Sequence, residues 1–262
     1  MNISIFKAKL LLSATFLLIT CFGYGQQKEW QNWNSIGLKI PVSKTVDFKL
    51  SELAAFSPSN AYALNFAQTS AAFSVDVTKQ LSFKFGDQLN YIPGSTNALR
   101  NRIFVEGSVD NKFSKLLKAE HSLQAEWHSK TEIRYQQRYI FTNSLSLRHR
   151  FSPLQLRPSL SYSLYYNVGG RPLQYYDKAG DPTVRQTPDG FHRGRFYARV
   201  NSRINRHVQL TLYYMNQSEF NLLTPDDKKI NVLNPSTAKI VRPFDDYNVV
   251  GLSLLFSIKR DN

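Results

Sequence analysis

Apolar and polar residues alternate along most of this chain, and this pattern restricts the fold more than any other feature. Around residue 85, for example, Phe83, Phe85 and Leu89 alternate with Lys84 and Gln88. Successive side chains of a β-strand point to opposite faces, so the alternation predicts strands with one apolar and one polar face. Many of the runs exceed the roughly five to six residues of a typical soluble strand. The pattern therefore favours a sheet that spans a membrane.

Eleven segments carry the alternation, at residues 36–40, 46–50, 71–75, 81–91, 105–113, 123–127, 139–147, 154–166, 196–204, 208–214 and 250–258. Short links between them, such as 152–153 and 205–206, alternate with long ones, such as 168–190 and 219–246. Short turns on one side and long loops on the other are typical of outer-membrane barrels. We predict an all-β fold, an antiparallel transmembrane β-barrel with short periplasmic turns and long extracellular loops.

The strand number must be even if the barrel follows the bacterial single-chain pattern. Eleven segments break that rule. Either a strand near residues 26–34 escapes the pattern, which gives 12 strands, or two weak segments form one strand, which gives 10. We predict 12 strands.

The start of the chain has the composition of an export signal. Lys7 and Lys9 precede an apolar run over residues 10–22, and Gly23 and Gly25 place small residues before a cleavage point. We predict a cleaved signal peptide over residues 1–25 and a single barrel domain over residues 26–262. An N-terminal anchor helix and a lipoprotein signal ending at Cys21 are the alternatives. Export predicts location in the outer membrane of a Gram-negative envelope.

The polar face of the strands is rich in charge, and the whole chain carries 33 Lys and Arg against 19 Asp and Glu, a formal charge of +14. The predicted interior network consists of Arg138, Arg148, Arg150, Arg193, Arg195, Arg199, Arg203, Glu106, Asp110 and Glu126. Arg134 shares the parity of Arg138. One interpretation is a network of ion pairs that fills a narrow barrel, because buried arginines need partners. The other is an arginine-lined path for small anions, since rings of Arg favour anions in pores.

No catalytic or metal-binding motif is present in the sequence. Barrel lipid hydrolases need His and Ser on one strand face, but His121 and His128 are each followed directly by serine, which points the other way. The five histidines show no metal spacing, so no cofactor is expected. We predict a protein that is not an enzyme, although a lipid-modifying or lipopolysaccharide-modifying barrel and a soluble β-protein that binds an apolar ligand stay open as alternatives.

The predicted partners follow from charge and export. The cations are spread through the strands rather than clustered, which argues against nucleic acid as a partner. Outer-membrane lipids and lipopolysaccharide are the expected neighbours, with small anions as a further partner, and the barrel is expected to be a monomer.

The chain resembles the uncharacterised envelope proteins of domain-of-unknown-function family 2490. The shared features are an exported start followed by Trp30 and Trp33, the run Arg148-His149-Arg150-Phe151, and the run Phe191-His192-Arg193-Gly194-Arg195-Phe196. The resemblance extends over essentially the whole mature chain. It implies a barrel without an assigned activity and supplies no catalytic residues.

Overall fold

The computed structural model describes residues 28–112 and 114–258. The predicted signal peptide over 1–25, including Cys21, and the end of the fifth predicted segment at Phe113 lie outside the described residues. Within them are fifteen strands: β1 (Glu29–Pro41), β2 (Val46–Ser57), β3 (Ala63–Asp76), β4 (Leu81–Tyr91), β5 (Leu99–Asn111), β6 (Leu117–His128), β7 (Gln137–Leu147), β8 (Leu156–Val168), β9 (Leu173–Tyr176), β10 (Pro182–Gln186), β11 (Gly190–Arg203), β12 (Val208–Leu222), β13 (Leu233–Asn234), β14 (Lys239–Ile240) and β15 (Tyr247–Ser257). Two short 3₁₀ helices lie at Pro58–Asn60 and Asp226–Lys228.

Eleven of these strands form one closed barrel, in the order β1-β15-β12-β11-β8-β7-β6-β5-β4-β3-β2. Each of the eleven segments predicted from the alternation falls on one barrel strand. The other four strands pair as two small hairpins, β9 with β10 and β13 with β14, inside the two longest loops.

The prediction of 12 strands is wrong, and so is the prediction of purely antiparallel pairing. Residues from Glu29 to Asn34 belong to β1 rather than to a separate strand. With eleven strands, the first and last run in the same direction, and β1 pairs with β15 in parallel from Glu29 opposite Tyr247 to Lys39 opposite Ser257. All other barrel pairs are antiparallel.

The two ends of the barrel differ in the length of their connections. We call the end formed by the connections after β1, β3, β5, β7 and β11 the short-turn end. The connections after β2, β4, β6, β8 and β12 form the long-loop end, which also carries both hairpins. This separation agrees with the predicted alternation of short and long links.

The outer face of the barrel is apolar and the inner face is polar, as the alternation predicts. Phe85 and Leu252, for example, point outward and are 48% and 41% exposed. Glu126, Arg138 and Tyr165 point inward and are buried. Apolar side chains therefore cover the outside of a barrel that encloses charge.

Polar side chains that do point outward are mostly paired across neighbouring strands. Asn101 Nδ2 donates to Asp87 Oδ2 at 2.9 Å, and Asn216 Nδ2 donates to Asn248 Oδ1 at 2.9 Å. Such pairs lower the cost of polar groups on an apolar face. Among the described residues, no helix is long and apolar enough to cross a membrane.

Candidate functional site

The barrel encloses a cavity of about 910 Å³ whose wall is densely charged. Eight arginines line it, Arg100, Arg102, Arg134, Arg138, Arg193, Arg195, Arg199 and Arg242. Six carboxylates line it as well, Glu29, Glu106, Glu120, Glu126, Glu132 and Asp245. The cavity wall therefore carries more cations than anions, although the described residues pair some of them directly.

Glu126 on β6 is the centre of the most buried ion pair. Its side chain is 2% exposed, and its Oε2 accepts from Arg138 Nε at 2.8 Å and lies 2.5 Å from Arg138 Nη2. His128 Nε2 lies 3.1 Å from the same oxygen, and Gln124 Nε2 donates to Oε1 at 2.6 Å. Register explains the site, because Glu126 lies directly opposite Arg138 on β7. The carboxylate is fully engaged by the protein.

Arg102 on β5 approaches the same carboxylate from the other side. Its Nη1 lies 3.9 Å from Glu126 Oε2, while Nη2 donates to Gln68 Oε1 at 2.9 Å and Nε donates to Gln88 Oε1. Two guanidinium groups thus share one carboxylate. This part of the wall keeps a net positive charge.

A second network on β11 and β12 holds Arg193 and Arg195. Arg193 Nε donates to Glu219 Oε1 at 2.6 Å, and Gln217 Nε2 donates to the same oxygen at 2.9 Å. Arg195 Nε donates to Gln217 Oε1 at 2.8 Å, and Arg195 Nη2 donates to Tyr247 Oη at 3.2 Å. Arg193 therefore has a carboxylate partner, whereas Arg195 is held by neutral groups.

Arg195 and Arg199 form no ion pair among the described residues. The guanidinium carbon of Arg195 lies 5.3 Å from the ring centre of Tyr165 and 5.7 Å from that of Trp33. Arg199 Nη1 donates to Ser161 Oγ at 2.6 Å, and its guanidinium lies 3.9 Å from the Tyr197 ring. Aromatic rings and hydroxyls orient these cations but do not neutralise them.

Toward the short-turn end, lysines replace arginines as partners of the acids. Lys84 Nζ lies 3.1 Å from Glu106 Oε2, and Lys118 Nζ lies 2.7 Å from Asp110 Oδ2. The two acids are about one-fifth and one-third exposed, and both lysines are slightly more exposed than the acids. Ion pairs this accessible contribute little to stability, on the order of 0 to 1 kcal/mol each.

The predicted interior residues divide into two groups. Arg138, Arg193, Arg195, Arg199, Glu106 and Glu126 line the cavity. Asp110, Arg148, Arg150 and Arg203 do not line it. Asp110 is paired with Lys118 and Arg203 is the last residue of β11, where it is exposed.

The predicted interior positions of Arg148 and Arg150 require correction. Strand β7 ends at Leu147, so both arginines lie in the connection to β8 at the short-turn end. Arg148 Nη1 donates to the backbone carbonyl of Ser114 at 3.2 Å, and Arg150 Nη1 donates to that of Gln155 at 2.9 Å. The alternation of β7 continues in the sequence beyond Leu147, but the strand itself ends there. Arg134 likewise precedes β7, in the loop at the opposite end.

Several cavity residues escape prediction from the sequence. Arg100 and Arg102 share the parity of Glu106 and Asp110, so extending the fifth predicted segment toward the N-terminus would have included them. Tyr165 and Trp33 face inward although their residue types suggest the apolar face. Arg242 lies in a loop, where no periodicity applies.

No group of His, Cys, Asp and Glu side chains suited to hold a metal ion occurs in residues 28–112 and 114–258. Glu126 and His128 are close together, but Arg138 occupies the carboxylate. The Glu126 carboxylate is therefore already neutralised by Arg138.

Comparison with known proteins gives a family and no activity. The family described as "Protein of unknown function (DUF2490)" matches residues 30–227, which confirms the resemblance seen in the sequence. No curated protein matches the chain. A solved structure of the NanC porin is similar with a TM-score of 0.44 and 9% identity, over 75% of this chain and 84% of the porin chain.

Proposed function

The chain belongs to DUF2490, a family of proteins of unknown function, and we propose that it is an outer-membrane β-barrel whose interior provides a narrow path for small anions. The proposal includes no catalytic step, cofactor or metal ion. It places a single barrel among outer-membrane lipids and lipopolysaccharide, with the long-loop end outside the cell.

The outer face supports the location in a membrane. The barrel strands have 11 to 15 residues. At about 3.3 Å per residue and a tilt near 45°, such strands span roughly 25 to 35 Å, enough for the apolar band of an outer membrane. A soluble barrel would leave Phe83, Phe85 and Leu252 in water, where exposed apolar area of this extent is unfavourable.

The observation that carries the proposed path is the uncompensated charge of Arg195 and Arg199. Both line the cavity, and neither forms an ion pair among the described residues. An interior that served only to fill the barrel would be expected to pair each buried cation, because unpaired buried charge is costly. Guanidinium groups on the wall that have no carboxylate partner among the described residues favour an anion in the cavity.

The experiment is the ion selectivity of the refolded protein in planar bilayers. We expect conductance with a reversal potential that favours anions in a potassium chloride gradient. Arg195→Gln and Arg199→Gln should each move the reversal potential toward cation preference. The matched control is Arg185→Gln, since Arg185 is an exposed arginine of β10 outside the cavity wall.

Two results would reject the path. A folded barrel that inserts into the bilayer without measurable conductance would leave only a structural role in the envelope, supported by the paired networks around Glu126 and Glu219. If the reversal potential is the same in wild type, Arg195→Gln and Arg199→Gln, these two arginines do not determine the ion selectivity of the path.

A further inference from the structure

Three loops that each carry an arginine are joined by hydrogen bonds at the long-loop end of the barrel. Arg242, in the loop between β14 and β15, donates from Nη1 to the carbonyls of Ile133 at 3.2 Å and Arg171 at 2.8 Å. Arg134, between β6 and β7, donates from Nη2 to the carbonyl of Pro243 at 3.3 Å. The backbone N–H of Arg171, after β8, donates to the Ile133 carbonyl at 2.9 Å. We call Arg134, Arg171 and Arg242 the mouth cluster.

The charge of the mouth cluster is not neutralised by the described residues. Its hydrogen bonds go to neutral backbone carbonyls, and none of the three arginines forms an ion pair there. Glu132 is nearby, but its Oε2 pairs with Arg100 Nη1 at 3.1 Å and its Oε1 accepts from the backbone N–H of Arg134 at 2.8 Å. Burial, together with repulsion from Arg171 and Arg134, lowers the pKa of Arg242.

The loops hold these cations together in spite of their repulsion. Phe244 is 5% exposed, and its ring centre lies 4.9 Å from the guanidinium of Arg134. Asn231 clamps the same segment, because its Oδ1 accepts from the Phe244 N–H at 2.7 Å and its Nδ2 donates to the Phe244 carbonyl at 3.0 Å. The clustering is therefore built into the loop packing.

The mouth cluster opens both to solvent and to the cavity. Arg134 and Arg242 line the cavity, and Arg171 is exposed. Asp245 lines the same rim without an ion pair to the cluster. An anion at this place would contact the cluster before it reached Arg193 and Arg195 deeper in the barrel.

We propose that the mouth cluster is an entry site for a doubly charged oxyanion, namely phosphate or a soluble phosphate monoester. This inference rests on the proposed function and names the solute class of the path. Guanidinium groups donate two parallel hydrogen bonds to a pair of phosphate oxygens, and cationic side chains from three neighbouring loops favour a doubly charged oxyanion over chloride. The opening toward the cavity favours a free solute over a phosphate of lipopolysaccharide.

The test is calorimetric titration of inorganic phosphate into the refolded full barrel in a nonionic detergent. Arg171→Gln is the main variant, because the Arg171 side chain makes no hydrogen bond among the described residues and its removal leaves the loop packing intact. We expect Arg171→Gln and Arg242→Gln each to weaken phosphate binding about tenfold or more. Arg185→Gln, the matched exposed control, should bind like wild type.

The outcomes separate this inference from the proposed path. Phosphate affinity that is equal in wild type, Arg171→Gln and Arg242→Gln would overturn the entry site, even if the barrel conducts anions. Arginine-dependent phosphate binding by a barrel without conductance would support the site and reject the path. Binding of lipopolysaccharide in mixed micelles, lost in Arg171→Gln, without binding of free phosphate would assign the cluster to a lipid headgroup and overturn the entry site.

Discussion

Replacing Glu126 by glutamine tests whether the interior charge is held by specific pairs. The carboxylate is 2% exposed, accepts a hydrogen bond from Arg138 Nε and forms an ion pair with Arg138 Nη2. His128 Nε2 and Gln124 Nε2 lie 3.1 Å and 2.6 Å from its two oxygens. Glutamine keeps the volume but offers one acceptor oxygen instead of two and removes the charge, so Arg138, which is 4% exposed, loses its anion.

The expected loss of stability is large because the pair is buried. Removing one partner of a buried ion pair costs about 3 to 5 kcal/mol, and the retained amide oxygen places Glu126→Gln near 3 kcal/mol. Replacing the pair as a whole should cost much less. The double variant Glu126→Gln/Arg138→Met removes both charges of the pair, although Arg102 also loses its carboxylate. It is therefore expected to lose clearly less stability than Glu126→Gln alone.

The assay is urea unfolding in lipid vesicles, followed by tryptophan fluorescence and analysed by linear extrapolation. Glu120→Gln is the matched control. Glu120 also lies on β6 and faces the barrel interior, but it is exposed and forms no ion pair among the described residues. It should change the free energy of unfolding by less than about 0.5 kcal/mol. If Glu126→Gln unfolded at the same urea concentration as Glu120→Gln, the buried Glu126–Arg138 pair would not stabilise the folded barrel.

Three further outcomes are expected. Leu252→Arg, on the outer face, should lose about 2 to 4 kcal/mol of stability in vesicles, whereas Ser253→Arg, on the inner face, should lose less; equal losses would contradict the lipid-facing assignment. Arg150→Gln, in the turn after β7, should leave the reversal potential unchanged and alter stability by less than about 0.5 kcal/mol, measured in the same bilayers and vesicles. Tyr175 in β9 donates to the Lys229 carbonyl at 3.1 Å, and burial, with two neighbouring aspartates, raises its pKa from 10.0 to about 12. Because the folded-state pKa is the higher one, the stability that this contact contributes is complete below about pH 10 and is lost as the pH rises through about 12. Ultraviolet titrations of wild type and Tyr175→Phe should differ by one phenol that ionises near pH 12, and titrations without this difference would contradict the contact.

The sequence was sufficient for the barrel strands but not for their closure. Alternation is a local property, and it located all eleven strands because each buries one face and exposes the other. The pairing of β1 with β15 joins residues more than two hundred positions apart, such as Trp30 and Asn248, and no local pattern reports it. The alternation gave the correct number of eleven strands, but the rule that bacterial barrels have an even number led to the prediction of 12.

Interior residues could be predicted from the sequence where they lie within a strand, but not where they lie in a turn or a loop. Arg138, Arg193 and Arg195 were found because parity holds along β7 and β11. Arg150 was misplaced because the same parity continues into a turn, where it has no structural meaning. The mouth cluster could not be found in this way, since Arg242 reaches the barrel through a loop whose path depends on packing against Phe244.

The parallel seam between β1 and β15 also explains why an apolar cluster lies inside a charged barrel. Parallel pairs are slightly less stable per residue than antiparallel ones, so packing of side chains across this seam matters for closure. Trp33, Ala55, Met215 and Val249 come from β1, β2, β12 and β15, the strands that form and flank the seam, and they pack together at 0% to 7% exposure. A slip of one residue would turn Trp33 outward and break the cluster, so its burial fixes the register of the closure. Beside it, the Trp33 ring lies 5.7 Å from the guanidinium of Arg195. The side chain that fixes the register of the closure thus also contacts a cation that forms no ion pair among the described residues.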